Sequence, residues 1–432
     1  MNRSFFLRRQ LPFGINHNTH SFLFIGVILF ILLASTAFAQ TEVQNLAVVL
    51  NALDKDDWDI TSSLSIIDLD EPNLKQAVDS EVISIGGVPS DILIHGHHAY
   101  ISNFDWLSQP SHDSILIVNL ERREIVGVIS LQPGVYPQSL ALVSSNKMYV
   151  TCDNTHQVHV VNIGSRSVSK IITDPSFNKT TGITILNGKA YVTNPSWQWD
   201  ADAGKSIYYQ STVSVIDTET DSVVKTIAMP INAGGILNDG ESTVIVKTTG
   251  NYNEISGKLV FIDATTDEVF KTIDLKMTPG SFAINSQKQL FIQGGWFNPG
   301  LLIYDVPTQE WIRDKDNTLE AFAGGSGMTF GDDGNLYITK PDWTGGGMST
   351  MLLIGPDETL IKTYQLGHGT DEVALAQIVS RNEDVNDDGF IDIKDLVLVA
   401  QDFGKTGAGL LGDVNGDGEV NILDLVRIAQ HF

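Results

Sequence analysis

The feature that most limits how this chain can fold is a unit of about 42 to 50 residues that recurs between about residues 40 and 380. Each unit opens with a turn containing Gly or Pro and a short apolar strand. A second strand follows and ends in small polar residues, and a hairpin closes the unit. First strands include segments 88–94, 136–142 and 278–284; second strands include 99–103, 148–152, 190–194 and 336–340. This period is typical of propeller blades, which contain four strands each.

The number of units predicts a closed ring of seven blades. The repeated segments alternate apolar and polar residues and are rich in β-branched residues, which indicates strands. We count seven hairpins, beginning near residues 64, 115, 158, 213, 259, 301 and 351, and seven first strands, the last at 369–376. Only six second strands follow a first strand. We expect segment 45–51 to supply the seventh, so that the two ends of this region share one blade and leave no open sheet edge.

Two short motifs in the repeats resemble a known family. They are the Tyr-Val-Thr-Asn sequence at 191–194 and the Val-Ile-Asp-Thr turn at 215–218. Both resemble the YVTN family of seven-bladed propellers, and the resemblance covers the region 40–380. It implies an all-β, seven-bladed β-propeller, and it implies little about function.

Two near-copies of a twelve-residue loop follow the repeats, at 384–395 and 413–424. The segments 384–403 and 413–432 match at 12 of 20 positions, which indicates an internal duplication. Oxygen-bearing side chains occupy loop positions 1, 3, 5, 9 and 12, Gly occupies position 6, and position 7 contributes its backbone carbonyl. This spacing is typical of a loop that wraps a calcium ion. The predicted ligands of two calcium ions are Asp384, Asn386, Asp388, Phe390, Asp392 and Asp395 in the first loop, and Asp413, Asn415, Asp417, Glu419, Asn421 and Asp424 in the second.

The arrangement of these loops differs from an ordinary EF-hand. No helical pattern precedes either loop, an amphipathic helix follows each one, and position 12 is Asp in both. The segment 384–432 therefore strongly resembles a type I dockerin, a small α-helical calcium-binding domain that attaches a secreted protein to a cohesin domain on a scaffold. The resemblance implies a cohesin as partner and places the contact at loop positions 10 and 11. Many dockerins have a Ser-Thr type pair there, whereas this chain has Ile393, Lys394, Ile422 and Leu423, so the class of cohesin stays open.

The N-terminus indicates secretion. Arg3, Arg8 and Arg9 precede an apolar run at 22–34, and an Ala-Phe-Ala sequence at 37–39 follows it. This pattern predicts a signal peptide at 1–39 and an extracellular or cell-surface protein, with no membrane span after cleavage. An uncleaved anchor is the alternative. The predicted organisation is a signal peptide at 1–39, a propeller at 40–380 and a docking module at 381–432.

Charge and cysteine content limit what the chain can bind and how it can be cross-linked. The chain has 27 basic and 52 acidic residues and a net charge of −25, so it repels phosphate backbones and is not expected to bind nucleic acid. Its single cysteine, Cys152, cannot form an internal disulfide. We expect Cys152 to be a buried strand residue rather than a thiol nucleophile.

The positions of the tryptophans predict a ligand-binding face. In a four-stranded meander, the connections between second and third strands all lie on one face of the disc, and we place only Trp311 on a strand. We expect the aromatic side chains to stack on sugar rings or on a planar heterocycle; bracing of long loops is the alternative. The predicted ligand-binding residues in these connections are Trp58, Trp106, Trp197, Trp199, Trp296, Trp343 and Tyr252.

Evidence for catalysis is weaker. Asp200 and Asp202 lie in the longest connection, but acidic residues in exposed turns usually serve solvation. His95, His97 and His98 lie in a turn on the opposite face, where a plain tight turn is favoured over a metal site. The sequence contains no Cys-x-x-Cys-His haem motif, Walker loop or dinucleotide fingerprint.

The sequence therefore predicts a secreted, non-catalytic binding protein that takes part in polysaccharide degradation. Its propeller is expected to bind a carbohydrate, and its dockerin is expected to attach it to an extracellular assembly. The alternatives are a propeller enzyme, either a polysaccharide lyase or a glycosidase, and a corrinoid-binding or purely protein-binding propeller.

Overall fold

The computed structural model of the protein describes residues 43–51, 62–104, 112–295, 300–342, 348–379, 383–386, 390–407, 410–415 and 417–431. In this part of the chain the strands form seven four-stranded antiparallel sheets and one two-stranded hairpin. None of the helices described is both long enough and apolar enough to cross a bilayer.

The secondary structure consists almost entirely of strands. In chain order they are β1 (Val43–Asn51), β2 (Ser63–Asp68), β3 (Val78–Ser84), β4 (Val88–His95), β5 (His98–Phe104), β6 (Ser114–Asn119), β7 (Glu124–Ser130), β8 (Pro137–Ser144), β9 (Lys147–Cys152), β10 (Gln157–Asn162), β11 (Ser167–Ile172), β12 (Ile183–Leu186), β13 (Lys189–Asn194), β14 (Trp197–Asp200), β15 (Lys205–Tyr208), β16 (Ser211–Asp217), β17 (Ser222–Met229), β18 (Ala233–Asn238), β19 (Thr243–Thr248), β20 (Lys258–Asp263), β21 (Glu268–Asp274), β22 (Pro279–Ile284), β23 (Gln289–Gly294), β24 (Leu301–Asp305), β25 (Glu310–Arg313), β26 (Met328–Phe330), β27 (Leu336–Lys340), β28 (Thr350–Ile354), β29 (Leu360–Gln365) and β30 (Thr370–Val379). The described helices are α1 (Leu74–Ala77), a 3₁₀ turn (Glu320–Phe322), α2 (Ile393–Asp402) and α3 (Ile422–Ala429).

The seven sheets are the blades of a propeller. Blades 1 and 2 contain β4–β7 and β8–β11, and blade 3 contains β12, β13, β16 and β17 with the β14–β15 hairpin inserted. Blades 4, 5 and 6 contain β18–β21, β22–β25 and β26–β29, and blade 7 contains β30, β1, β2 and β3. The first strands contact one another in the cyclic order β4, β8, β12, β18, β22, β26, β30 and back to β4. They form a closed inner ring, and the predicted seven-bladed fold is confirmed.

The two ends of the propeller region share blade 7, as predicted. Strand β1 pairs antiparallel with both β2 and β30, and Val48 lies opposite Ile66 on one side and Ala374 on the other. Val48 is completely buried. The N-terminal strand therefore closes the ring by completing the last sheet, which leaves no unpaired edge at the seam.

The core lies between the blades. Seven clusters of buried apolar side chains each join two neighbouring blades, and one of them joins blade 7 to blade 1. Strand β6 is buried along its whole length, whereas the outer strand β17 alternates exposed and buried residues along most of its length. Since inner strands are covered on both faces by neighbouring blades, they are apolar on both sides.

A polar residue near the end of six of the seven second strands ties its blade to the next one. The hydroxyl of Thr193 accepts a hydrogen bond from the Gly182 amide in its own blade (2.8 Å) and donates one to the Gly234 carbonyl of blade 4 (3.1 Å). This explains the Thr in the Tyr-Val-Thr-Asn motif. The same position links other blades through Ser102 to the carbonyl of Gln138, Thr151 to Thr181, Lys247 to Gly280, Gln293 to Phe322 and Thr339 to Asp371.

The C-terminal segment consists of two loops, each followed by one of the helices α2 and α3. Their small shared core contains the buried side chains of Val399, Val414, Val420 and Ile428. Each helix begins with a reciprocal capping box, formed by Asp392 with Asp395 in α2 and by Asn421 with Asp424 in α3. The segment bounds 1–39, 40–380 and 381–432 remain predictions.

Candidate functional site

Two of the predicted ligand-binding tryptophans lie on a hairpin that rises from blade 3. Trp197 and Trp199 belong to β14, so the expectation that only Trp311 lies on a strand was wrong. In the β14–β15 hairpin, Trp197 pairs with Tyr208 and Trp199 with Ser206. The connection is long enough to form its own antiparallel pair, and its Trp-Gln-Trp-Asp sequence has the two-residue period of a strand. Both indoles therefore lie on one side of the hairpin.

The hairpin forms one wall of an open cleft. Trp199 is 58% exposed and Tyr209 is 47% exposed, which is high for such large apolar groups. Polar side chains from the β9–β10 and β11–β12 connections form the rest of the lining. The cleft has a volume of about 440 Å³ and is lined by His156, Asn178, Lys179, Trp197, Gln198, Trp199 and Tyr209.

A charged pair lies at the edge of the aromatic wall. The ammonium nitrogen of Lys179 lies 4.8 Å from the centre of the Trp197 ring and 3.5 Å from Oδ1 of Asp153. Burial raises the pKa of Asp153, and the charge of Lys179 partly opposes this rise. The cleft therefore offers a flat apolar surface beside a hydrogen-bond donor, Lys179, and the side-chain amides of Asn178 and Gln198, whose oxygens are acceptors. This lining suits a ligand with an apolar face and hydroxyl groups at its edge.

The other predicted aromatic residues are only partly described. Tyr252 is 62% exposed in the β19–β20 connection, and its ring centre lies 6.2 Å from that of Tyr208. Trp58, Trp106, Trp296 and Trp343 lie outside the described residues. The structure thus brings Trp197 and Trp199 together, and the wider aromatic ring remains a prediction.

The sequence reading missed two carboxyl groups in the inner ring. Asp91 in β4 and Glu372 in β30 occupy equivalent positions in neighbouring blades. Asp91 precedes Ile92, which pairs with Ile101, and Glu372 precedes Val373, which pairs with Val49 in the matching position of the second strand. Burial raises the pKa of Glu372 to about 8, with a further contribution from the charge of Asp91, and burial raises that of Asp91 to about 6. The corresponding residues of the other five blades are Ser139, Gly182, Gly235, Ser281 and Gly327.

A lysine on blade 4 acts on the same pair. The ammonium group of Lys247 donates a hydrogen bond to the Gly280 carbonyl and lies 5.1 Å from the centre of the Phe282 ring. Burial lowers the pKa of Lys247 to about 8, while the charge of Glu372 acts to raise it. A sequence signal existed for this cluster, since Asp91 and Glu372 stand where the other five repeats have Ser or Gly.

In the second predicted calcium loop, oxygen-bearing side chains accept hydrogen bonds from backbone amides of the same loop. The carboxylate of Asp413 accepts hydrogen bonds from the amides of Asp417 (3.0 Å) and Gly418 (2.7 Å). The side chain of Asn415 accepts one from Asp417 (2.8 Å). Gly418 has a φ of +85°, a left-handed conformation that favours glycine at loop position 6.

The residue at position 12 holds each loop closed. Asp424 is fully buried, and its two oxygens accept hydrogen bonds from the amides of Asn415 (3.2 Å) and Asn421 (2.8 Å). In the first loop, Asp395 is also fully buried and accepts bonds from the amides of Asn386 (3.0 Å) and Asp392 (2.8 Å). The two loops thus share these two hydrogen bonds.

Calcium itself remains a prediction. Among the described residues, no group of three or more His, Cys, Asp or Glu side chains is placed to hold a metal ion. The predicted ligand sets also use Asn side chains and backbone carbonyls, and Asp388 lies outside the described residues. The roles of Asp384, Phe390, Asp417 and Glu419 as ligands likewise remain predictions.

The predicted partner-binding positions form an exposed apolar surface on the two helices. Ile393 is 63% exposed, and Ile422 and Leu423 are 60% and 59% exposed. Val397 and Val426, one turn further along each helix, are also about half exposed. Lys394 makes an ion pair with Asp392 at 3.5 Å. We call this exposed set (Ile393, Val397, Ile422, Leu423 and Val426) the apolar face of the module.

Two minor predictions agree with the structure. Cys152 ends strand β9 and is completely buried, and burial raises the pKa of its thiol. His95 ends β4, His98 begins β5, and His97 lies in the tight turn between them with Gly96, which has a φ of +57°.

These features define the class of protein as a seven-bladed β-propeller, extended by a short helical segment with two equivalent loops. No family model matches the sequence, and no curated protein matches it. The structure is similar to hydrazine synthase from Kuenenia stuttgartiensis, with a TM-score of 0.51 and 17% identity over 68% of this chain and 95% of that one. It is also similar to a quinoprotein alcohol dehydrogenase-like protein from Bacteroides thetaiotaomicron, with a TM-score of 0.52 and 12% identity over 75% and 77% of the two chains. Identities this low establish the fold alone.

Proposed function

We propose that the protein is a secreted, non-catalytic propeller that binds a carbohydrate and attaches to an extracellular scaffold through a calcium-dependent, dockerin-like module. The observation that carries the docking half is the equivalence of the two loops. In both, a fully buried Asp at position 12 accepts hydrogen bonds from the amides of positions 3 and 9. One accidental acidic loop would be unremarkable, but two loops with the same internal bonds point to a common ligand.

The donor set of the loops fits calcium. Each loop offers carboxylate, amide and carbonyl oxygens, which are the ligands that this hard cation takes. A carboxylate oxygen that accepts one backbone amide retains a second lone pair. Asp395 and Asp424 can therefore each stabilise the backbone of their own loop and bind an ion at the same time. When bound, calcium supplies the positive charge that offsets the crowded carboxylates.

The partner we propose is a cohesin-type domain that contacts the apolar face. The side chains at positions 10 and 11 are exposed in both loops, and three of the four are aliphatic. An isolated surface apolar residue is common, but a duplicated exposed set on a module this small favours a protein contact. Because these contacts are aliphatic rather than hydroxyl-bearing, we expect the partner surface to be apolar as well.

The ligand we propose for the propeller is a carbohydrate bound in the Trp197–Trp199 cleft. A sugar ring has an apolar face that stacks on an indole and hydroxyl groups at its edge. Lys179 offers a donor for those hydroxyls, and the side-chain amides of Asn178 and Gln198 offer acceptors. The charge of Lys179 is paired with that of Asp153. These features support a neutral glycan over a strongly charged one, since the two charges balance.

Two binding measurements on the full chain test this proposal. Calorimetry with calcium is expected to give two sites, and Asp424→Ala is expected to remove one of them. Asp402→Ala is a suitable control, because Asp402 ends α2 outside both loops. A glycan array probed with the same protein tests the second half. An absence of calcium binding would refute the docking module, and an array without any bound glycan would refute the carbohydrate ligand.

A further inference from the structure

The first loop contacts the propeller as well as its own helix. The ring of Phe390, at loop position 7, lies 4.8 Å from the ring of His95 at an interplanar angle of 54°. His95 ends strand β4 in blade 1, and its Nε2 lies 3.1 Å from the carbonyl of Ser145 in blade 2. The contacted ring is therefore held between two blades. Tilted ring pairs at this separation are attractive.

We propose that calcium bound in the first loop clasps the module against blades 1 and 2 through Phe390 and His95, and so fixes the direction in which the apolar face points. The proposal rests on the calcium binding proposed above and adds a second role for the first loop. The contact surface on the propeller is the turn between β4 and β5, and the segment that docks on it is the C-terminal module of the same chain.

The position of Phe390 in the loop provides the coupling. Position 7 contributes its backbone carbonyl to the ion, so the ring of Phe390 is not required as a ligand. Asp395 bonds the amides on both sides of this position, at Asn386 and Asp392. A bound ion favours the closed loop, and the closed loop presents the Phe390 ring to His95. By linkage, the contact with His95 must raise the calcium affinity of this loop by the same factor.

An ion pair anchors the residue just before the first loop to the last helix of the module. The carboxylate of Glu383, which lies just before the first loop, pairs with the guanidinium of Arg427 in α3. Glu383 is only 6% exposed. This ion pair joins the residue before the first loop to the last helix of the module, so that residue and α3 are held together.

The second loop provides an internal control. Its position 7 is Glu419, which has no aromatic ring and forms an antiparallel bridge with Thr406 within the module. Both substitutions Phe390→Ala and Glu419→Ala leave the backbone carbonyl in place. If position 7 affected calcium affinity only through its backbone carbonyl, neither substitution would change that affinity, and neither loop would depend on His95.

Calcium titration calorimetry on the full chain tests the clasp. His95→Gln removes the ring but retains an amide donor for the Ser145 carbonyl. We expect it to weaken one of the two calcium sites by about two- to tenfold, the range that a ring contact supplies. Phe390→Ala should weaken the same site by a similar factor, and the double variant should be no weaker than either single variant. In a Glu419→Ala background, His95→Gln should have the same effect as in the wild type.

The outcomes separate this proposal from the one on which it rests. If the wild type binds two ions and both variants bind them with unchanged affinity, the clasp is refuted while the docking module stands. If the wild type binds no calcium, both proposals fail. An unchanged melting temperature of the propeller in His95→Gln shows that any loss of affinity comes from the contact and not from unfolding. Small-angle scattering should show a larger radius of gyration for calcium-loaded Phe390→Ala than for the calcium-loaded wild type.

Discussion

The phenolic oxygen of Tyr191 donates a hydrogen bond of 2.6 Å to the carboxylate of Asp267, and this bond joins blade 3 to the outer turn of blade 4. The ammonium group of Lys189 reaches the same carboxylate at 2.7 Å. The same arrangement recurs one blade earlier, where Tyr149 and Lys147 both bind Asp221. The Tyr of the repeated motif and the Asp of the repeated turn are therefore partners across a blade interface.

Tyr191→Phe is expected to destabilise the propeller by about 1 to 2 kcal/mol, because it leaves the buried Asp267 carboxylate with one hydrogen bond fewer. Denaturant-induced unfolding at pH 7 measures the change. Tyr364→Phe is the matched control, since the buried hydroxyl of Tyr364 has no hydrogen-bond partner among the described residues. We expect that variant to be as stable as the wild type. Equal losses in both variants would show that the Tyr191 bond contributes nothing specific.

Removal of the N-terminal strands is expected to open the ring. A chain that begins at Glu81 lacks β1 and β2, so β30 and β3 lose their partners in blade 7. The exposed edge and the uncovered core of blades 6 and 1 should cause aggregation. A chain that begins at Val43 should remain monomeric and serves as the control. Size-exclusion chromatography with light scattering distinguishes the two. A monomeric shorter chain with an unchanged melting temperature would contradict closure by β1.

The carboxyl pair in the inner ring predicts a stability that falls as the pH rises. The pKa of Glu372 is raised from 4.5 to about 8, so the folded state binds a proton that the unfolded state has released. The stabilisation is complete below pH 4.5 and is lost between pH 4.5 and 8. We expect Glu372→Gln to flatten this part of the profile and to be about 1 to 2 kcal/mol more stable than the wild type at pH 8.

Thermal or denaturant unfolding of both proteins at pH 5 and pH 8 checks this expectation. The difference between variant and wild type isolates the pair from the other titrating groups, although Asp91 titrates together with Glu372 and shares the effect. A wild-type stability that rises from pH 5 to pH 8 in parallel with the variant would show that Glu372 is ionised in the fold.

The exposed indoles are expected to bind ligand rather than support the fold. Trp197→Ala combined with Trp199→Ala should weaken glycan binding by about tenfold or more, because each stacked ring contributes about 1 to 2 kcal/mol. Stability should change little, since Trp199 is largely exposed. Trp311→Ala is the contrasting variant: its ring packs edge-on against buried Tyr304 at 5.0 Å, so its loss should destabilise blade 5. Unfolding of the double variant would show that the indoles are braces.

Calcium removal is expected to loosen the module and leave the propeller intact. The core of the module is small, so the ions supply part of its folding free energy. A chelator should therefore make the segment after residue 383 sensitive to protease, and added calcium should restore its protection. Asp395→Ala and Asp424→Ala should each reduce this protection, because each removes the side chain that bonds two loop amides. Full protection of the calcium-free wild type would contradict the prediction.

The repeat and its count determined most of the fold from the sequence alone. Alternating β-branched strands at a fixed spacing indicate blades, and a missing second strand indicates closure by the chain's other end, because an unpaired inner edge is costly. The loop spacing likewise identified two equivalent turns before two helices. These predictions depend on local pattern, which the sequence displays directly.

Only the tertiary structure decided which distant residues meet. Asp91 and Glu372 are 281 positions apart in the sequence (372 − 91) and share a site because the ring brings blade 7 beside blade 1. The contact between His95 and Phe390 arises in the same way, because the first loop of the module lies against the β4–β5 turn, which is far from it in the sequence. The strand that carries Trp197 and Trp199 was not predicted, because its two-residue period extends over only four residues inside a connection. Periodicity is a property of neighbouring residues, whereas sites are made by closure and packing.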